Sequence, residues 1–174
     1  EAKVRLPAVR ADDLKDLPPA ALAITRYMYG TPLNHKSVIE SGNWKNAVAA
    51  YLAGTEFVDH CVGVMLKALD ESAHAKNTII VLWSDHGWHL GEKQHWQKFT
   101  AWRACTRIPL IIKVPPRIAP GLPSGTRPDT ICNRPVNLLS LFPTLLELAG
   151  LPSKTTNDGP SLVPLLKKPR RKWD

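Results

Sequence analysis

The strongest constraint on the fold is the run Ile79 to Trp83, IIVLW, an unbroken apolar segment bounded by Asn77 on one side and by Asp85-His86-Gly87 on the other. A segment so short, so hydrophobic and so rich in β-branched residues reads as a strand covered on both faces, the kind found inside an α/β layer. Ile108 to Pro115, IPLIIKVP, is a second run of the same kind. The polar stretch between them, roughly twenty residues, is too long for a simple turn and long enough for a functional excursion. It opens with SDHGWHLGEKQHWQKF, which crowds acids, imidazoles, tryptophans and lysines immediately after a strand. The carboxyl end of a strand is where open α/β sheets bind their ligands.

Around these runs the chain alternates. From Asn43 to Asp70 apolar or small residues recur every three or four positions, at Ala47, Ala50, Gly54, Val58, Cys61, Met65 and Leu69. This spacing predicts an amphipathic helix with one buried face, and places Cys61 on that face as a small buried hydrophobe. VNLLSLFPTLLELAG predicts a later helix that ends near Gly150, with Pro143 in its first turn or at a kink. PPRIAPGLPSGTRPD between them is a Pro/Gly-rich surface loop, and residues 1–42 are a Pro-rich, irregular connector ahead of the folded part, 43–174. Helix, buried strand, long loop, buried strand, loop and helix together make an α/β layered fold.

Bulk properties remove several functional classes. A chain of 174 residues that is 44% hydrophobic can build a real core. No run approaches the roughly 18 apolar residues of a membrane span, and EAKVRLPAVRADD lacks the basic-then-apolar layout of a signal peptide. The net charge of +8 favours anionic partners. Nucleic acid is not the expected one: zinc-finger spacing, RNA-binding aromatic motifs and basic heptads are missing, and KKPRRKWD reads as a solvated tail or the ragged end of a longer protein. Cys61, Cys105 and Cys132 are too dispersed for a disulfide framework or a Cys-x-x-Cys metal pair.

Within the excursion, Asp85 and His86 follow the strand directly, and Gly87 gives the backbone freedom to turn sharply. A carboxylate beside an imidazole suits a divalent cation, or a base oriented by an acid, and equally an Asp cap next to a surface histidine. Lys98 lies between Trp96, two residues before it, and Phe99, where a partly shielded ammonium could hold a tetrahedral oxyanion. His89 and His95 add donors to the same loop, as ligand, substrate contact or exposed side chain. Trp83, Trp88 and Trp96 could wall it, although Trp83, inside the strand, reads as packing.

The full segment IIVLWSDHGWHLGEKQHWQKFTAWRACTRIPLIIKVP closely resembles the second metal-binding segment of type I sulfatases, particularly the branch of iduronate-2-sulfatase and choline-sulfatase-like enzymes. AYLAGTEFVDHCVGVMLKALD is similar to the helix before that segment, and VNLLSLFPTLLELAGLP with DGPSLVPLL to the later helix and its following loop, so the likeness runs from about Trp44 to Leu166. It implies an incomplete alkaline-phosphatase-like layered fold holding part of the central sheet and its flanking helices. It implies that Asp85 and His86 are ligands of a calcium ion, the position of His86 being Asn in many other sulfatases. Lys98 matches a lysine that contacts the sulfate group, and His95 and His89 are placed beside it as substrate-binding candidates. Ion and lysine would neutralise charge developing on sulfate oxygens as the S–O bond breaks.

The departures bound the claim. The family's nucleophile is formylglycine made from Cys or Ser within Cys/Ser-x-Pro-x-Arg, and no Cys or Ser in this chain begins that pattern. The family's Asp-Asp calcium pair follows an earlier strand, whereas Asp12-Asp13 sits in the connector; the family's Lys-Pro-His segment is absent, and Arg103 stands where related sequences commonly carry an acid. The expectation is therefore the C-terminal part of a sulfatase, inactive alone, whose whole protein acts on a sulfated small molecule or glycan in an exported or lysosomal setting. The alternatives are a phosphodiesterase or phosphonate hydrolase of the same superfold, and a non-catalytic remnant that binds anions.

Overall fold

The computed structural model describes residues 4–26, 34–118, 122, 125–152 and 156–173. Its elements in order are α1 (Pro19–Thr25), α2 (His35–Glu40), α3 (Trp44–Asp70), β1 (Ile80–Trp83), β2 (His89–Leu90), β3 (Trp96–Gln97), α4 (Arg103–Thr106), β4 (Leu110–Lys113), α5 (Leu141–Leu148) and α6 (Val163–Lys167). They divide into two compact units, Glu1–Leu66 with Ser84–Ile108, and Lys67–Trp83 with Pro109–Asp174. The polar excursion thus belongs to the first unit and the two apolar runs mainly to the second.

In the second unit β1 and β4 pair antiparallel, with Val81 opposite Ile112 and Trp83 opposite Leu110. The core beside them is Val114, Leu122, Leu148 and Val163, with Ile79, Ile112, Ile118 and Leu166 packed against it. Burying each such side chain contributes about 1.5–3 kcal/mol. The later helix forms as its sequence predicts: Pro143 occupies the first turn of α5, where its missing N–H costs nothing. Gly150 then ends it at φ +67°, with Gly150 N–H donating to Glu147 O and Leu151 N–H to Leu146 O, the paired bonds of a Schellman cap. Thr144 is buried and accepts from the Leu162 amide at 2.8 Å, tying α5 to the start of α6.

Three expectations differ from what is observed. The connector is not irregular throughout: Pro19 opens α1 at N1, and the Asn34 side chain caps α2 by accepting from Ser37 N–H at 2.9 Å. The strand runs are not covered on both faces, since Leu82 is 38% and Trp83 50% exposed, and Ile111 is 57% exposed. The long helix forms over nearly the expected span, but its apolar face is open. Val48 is its one fully buried residue; everything from Ala50 to Cys61 is exposed, as are Val64 and Met65 further on. Cys61 is therefore an exposed thiol and not a buried hydrophobe. The periodicity records what a helix is suited to bury, and a partner must still be present to cover it.

Candidate functional site

The excursion starts with a strand end that breaks at once. Asp85 Oδ1 accepts from the His86 amide at 3.0 Å, and Ser84 Oγ donates to the His86 carbonyl at 2.6 Å, so the turn is closed by its own side chains. His86 Nδ1 lies 2.8 Å from the Gly87 carbonyl. A carbonyl only accepts, so Nδ1 carries a proton, and Nε2, 3.6 Å from Asp85 Oδ2, is the nitrogen that offers a lone pair whenever the ring is neutral. The Asp85 side chain is 78% exposed and that of His86 30%. A carboxylate oxygen and an imidazole lone pair turned towards one another are a two-donor set for a divalent cation. Among the described residues no third His, Cys, Asp or Glu completes such a group. Calcium takes about six to eight oxygen ligands, so Asp85 would suit it, the His86 nitrogen would be a softer donor, and these two alone could not complete its coordination sphere.

Gly87 is required here, but for close approach and not for a turn. Its N–H donates to Cys105 O at 2.7 Å and the Trp88 N–H to Ala104 O at 3.0 Å, so α4 lies directly on its backbone. A Cβ on Gly87 would sit 2.0 Å from Ala104 O. Trp88 stacks on the His86 ring and on Tyr51 of α3, with centroids 6.3 Å away in each pair.

The second half of the excursion is a hairpin in which His89 faces Gln97 and Leu90 faces Trp96. Its backbone is unusual: Lys93 (φ 55°), Gln94 (φ 49°), Gln97 (φ 67°) and Phe99 (φ 71°) all lie in the left-handed region that side-chain-bearing residues seldom adopt. Several long-range contacts hold it. Trp44 Nε1 donates to Leu90 O at 2.7 Å, and its indole lies over Gly91 so closely that a Cβ there would meet the ring at 2.9 Å. Lys93 is gripped by Asp13, its amide donating to Oδ2 at 2.8 Å and its ammonium lying 2.9 Å from Oδ1 and 2.7 Å from the Asp13 carbonyl. Burial alone would raise the Asp13 carboxyl, but the Lys93 hydrogen bonds and charge outweigh it and hold the group below the usual carboxylate range.

His89 and His95 are 0% and 1% exposed, which removes the solvent-exposed alternative. Their rings meet edge to face at 5.2 Å, and every ring nitrogen faces a protein atom. His89 Nδ1 is 3.0 Å from Glu92 O and Nε2 is 2.8 Å from Thr100 Oγ1; His95 Nε2 is 2.7 Å from Lys98 O and Nδ1 is 3.5 Å from Thr25 O. Burial pushes the His89 imidazole down from its ordinary value and keeps it neutral. Trp96 is core, its N–H directed at His35 Nδ1. Lys98 is half-buried, with its ammonium 5.4 Å from the Phe99 ring centroid.

One sulfur joins the two halves. Cys105 Sγ in α4 lies 3.8 Å from the Gly87 carbonyl and 3.7 Å from that of Gln97, so the residue after His86 and the residue before Lys98 converge on the same atom. Sequence reasoning singled out Asp85, His86 and Lys98 but gave no role to Asp13, Thr25, Thr100 or Cys105, which hold the loop in place. Asp13 reaches Lys93 across 80 positions, and nothing local to either residue signals the pairing. Asp12, its neighbour, is held by Arg10 at 3.0 Å, so both carboxylates of the Asp-Asp pair are committed elsewhere.

A sulfatase family model matches residues 11–151, most of the chain and the whole of the polar excursion. The chain belongs to the sulfatase family. This sulfatase chain is 42% identical over 167 residues to a sulfatase of Formosa agariphila, covering 95% of the chain and 30% of that protein. It is 41% identical over 120 residues to mouse iduronate 2-sulfatase, covering 59% of the chain and 22% of that enzyme. In structure it matches a phosphonate monoester hydrolase from Silicibacter pomeroyi with a TM-score of 0.73 at 29% identity, covering 95% of the chain and 32% of the hydrolase. The fold is thus the expected alkaline-phosphatase-like α/β arrangement, present in part. The sulfatase chain spans less than a third of the length of these two sulfatases.

Proposed function

We propose that this chain is the C-terminal part of a sulfatase catalytic domain and contributes half of a metal site and one anion-binding lysine to sulfate ester hydrolysis. The observation that carries the reading is the convergence of the strand end and the Lys98 loop on Cys105 Sγ, which joins the segment holding an exposed carboxylate to the segment holding an ammonium. Asp85 Oδ and His86 Nε2 would hold the cation, which when bound supplies Lewis-acid neutralisation of sulfate oxygens. Lys98 presents a positive charge to the same anion from a half-buried position, where it is screened less than a surface lysine. Trp88 stacks on the His86 ring, and the Gly87 carbonyl takes the Nδ1 proton, which turns Nε2 to the cation. The nucleophile comes from outside these residues, since no Cys or Ser here begins Cys/Ser-x-Pro-x-Arg. The open face of α3 and the exposed end of β1 are surfaces for the rest of that domain to cover. The substrate is a sulfated small molecule or glycan, in keeping with the net charge of +8.

A hybrid enzyme tests this: residues 11–151 replace the matching segment of the Formosa agariphila sulfatase, and aryl sulfate turnover is measured. Lys98→Ala and Asp85→Ala in the hybrid should each reduce turnover by about 100-fold or more, and the 174-residue chain alone should show none. Unchanged turnover in the Lys98→Ala hybrid, or aryl sulfate turnover by the isolated chain that Lys98→Ala abolishes, refutes the reading. The structural likeness to a phosphonate monoester hydrolase supports a second reading, hydrolysis of a phosphonate or phosphate ester. A hybrid that prefers an aryl phosphonate to the aryl sulfate would favour it.

A further inference from the structure

We propose that His95, supported by His89, is a positioning residue that sets the backbone on either side of Lys98 and so aims its ammonium, while making no contact with the anion itself. The inference rests on Lys98 as the anion contact. Lys98 stands between Gln97 and Phe99, both in the left-handed region at φ 67° and 71°. Neither is a glycine, and neither is an Asn or Asp that tolerates this region through its own side chain, so something outside the two residues must impose the conformation.

The imidazoles are placed to do so. The Lys98 carbonyl is the acceptor for His95 Nε2 at 2.7 Å, a bond that closes over Trp96 and Gln97 and reverses the chain within three residues. Two residues beyond Lys98, the Thr100 hydroxyl is bound to His89 Nε2 at 2.8 Å. The segment that carries Lys98 is therefore pinned before and after Phe99 by two rings that also contact each other at 5.2 Å, with Trp102 meeting His89 edge to face at 5.8 Å. Both rings are essentially inaccessible, so no sulfate oxygen reaches them in this arrangement.

The arrangement dictates opposite tautomers. Lys98 O and Glu92 O only accept, so His95 carries a proton on Nε2 and His89 on Nδ1, leaving His89 Nε2 to accept from Thr100; Thr25 O also only accepts, but at 3.5 Å from His95 Nδ1 it is at the limit of a hydrogen bond and yields to the 2.7 Å bond to Lys98 O. Side chains that merely fill space would have no such requirement.

The test is NMR on the full 174-residue chain, labelled with 15N and 13C and carrying Phe57→Glu and Met65→Glu on the open face of α3 to keep it from self-associating. Long-range 15N–1H spectra should show His95 protonated at Nε2, His89 at Nδ1, and a coupling across the hydrogen bond from His95 Nε2 to the Lys98 carbonyl carbon. His95→Gln keeps a donor at nearly the same reach and should preserve the positive φ of Gln97 and Phe99, read from their Cα and Cβ shifts and their amide–Hα couplings. His95→Leu keeps bulk without the donor and should return both residues to negative φ. If His95→Leu does not fold, the tautomers and His95→Gln still decide. A His95 protonated only at Nδ1, a His95→Gln chain without the left-handed residues, or a His95→Leu chain that retains them overturns the proposal. None of these measurements involves sulfate or a metal, so a negative result here leaves the role of Lys98 standing, and a negative hybrid-enzyme result leaves this one standing.

Discussion

Replacing Gly87 with Ala tests the claim that close backbone approach, and not chain reversal, explains that glycine. An ideal Cβ on Gly87 lies 2.0 Å from Ala104 O, 2.9 Å from Ala104 C and 3.0 Å from Cys105 Cα. All three are backbone atoms, so no side chain can swing aside and α4 must retreat by more than an ångström. That retreat breaks the bonds from Gly87 N to Cys105 O and from Trp88 N to Ala104 O. Two lost backbone hydrogen bonds at about 1 kcal/mol each, with about 1 kcal/mol of overpacking, give roughly 3 kcal/mol. At a urea dependence of about 2 kcal/mol per molar, the unfolding midpoint should fall by about 1.5 M. Because α4 is a single turn, the damage can remain local, so amide exchange at Gly87 and Trp88 should be followed as well. Gly54→Ala is the control: it lies inside α3 with nothing within 4 Å of an added Cβ, and should stabilise by about 0.5–1 kcal/mol. A Gly87→Ala chain with an unchanged midpoint and both amides still protected would refute the reasoning.

Two further perturbations follow from the same structure. The Asp13 carboxyl is held below its ordinary value, so its contribution to stability is fully present above the unfolded carboxylate pKa of about 3.9 and is lost as pH falls through the lower folded value. Asp13→Asn should therefore be less stable than the parent by about 1 kcal/mol at pH 7, with the gap closing in acid, as measured by urea melts at several pH values; a gap that stays constant across pH would refute the linkage. The open face of α3, with Phe57 at 69% and Met65 at 72% exposure, should make the isolated chain self-associate. Phe57→Glu with Met65→Glu should reduce light scattering and binding of a hydrophobic dye while leaving the helical circular dichroism signal unchanged.

The sequence alone determined what depends on neighbours along the chain. The two apolar runs became paired strands, the spacing from Asn43 to Asp70 became a long helix, and Pro143 and Gly150 marked the first turn and the end of α5, because periodicity, turn chemistry and capping are local. It also determined the residues on which the site reading stands, Asp85, His86 and Lys98, through a motif continuous in sequence. Tertiary structure decided everything that needs a distant partner. It buried His89 and His95 with both rings engaged, fastened Lys93 to Asp13, put Cys105 between the Gly87 and Gln97 carbonyls, and left the apolar stripe of α3 open to solvent. It also placed Gln97 and Phe99 in a left-handed backbone that their residue types disfavour. Periodicity states which side chains gain by burial, whereas the covering surface, the dihedral angles of a strained loop and the direction of a lysine arise only when remote segments meet.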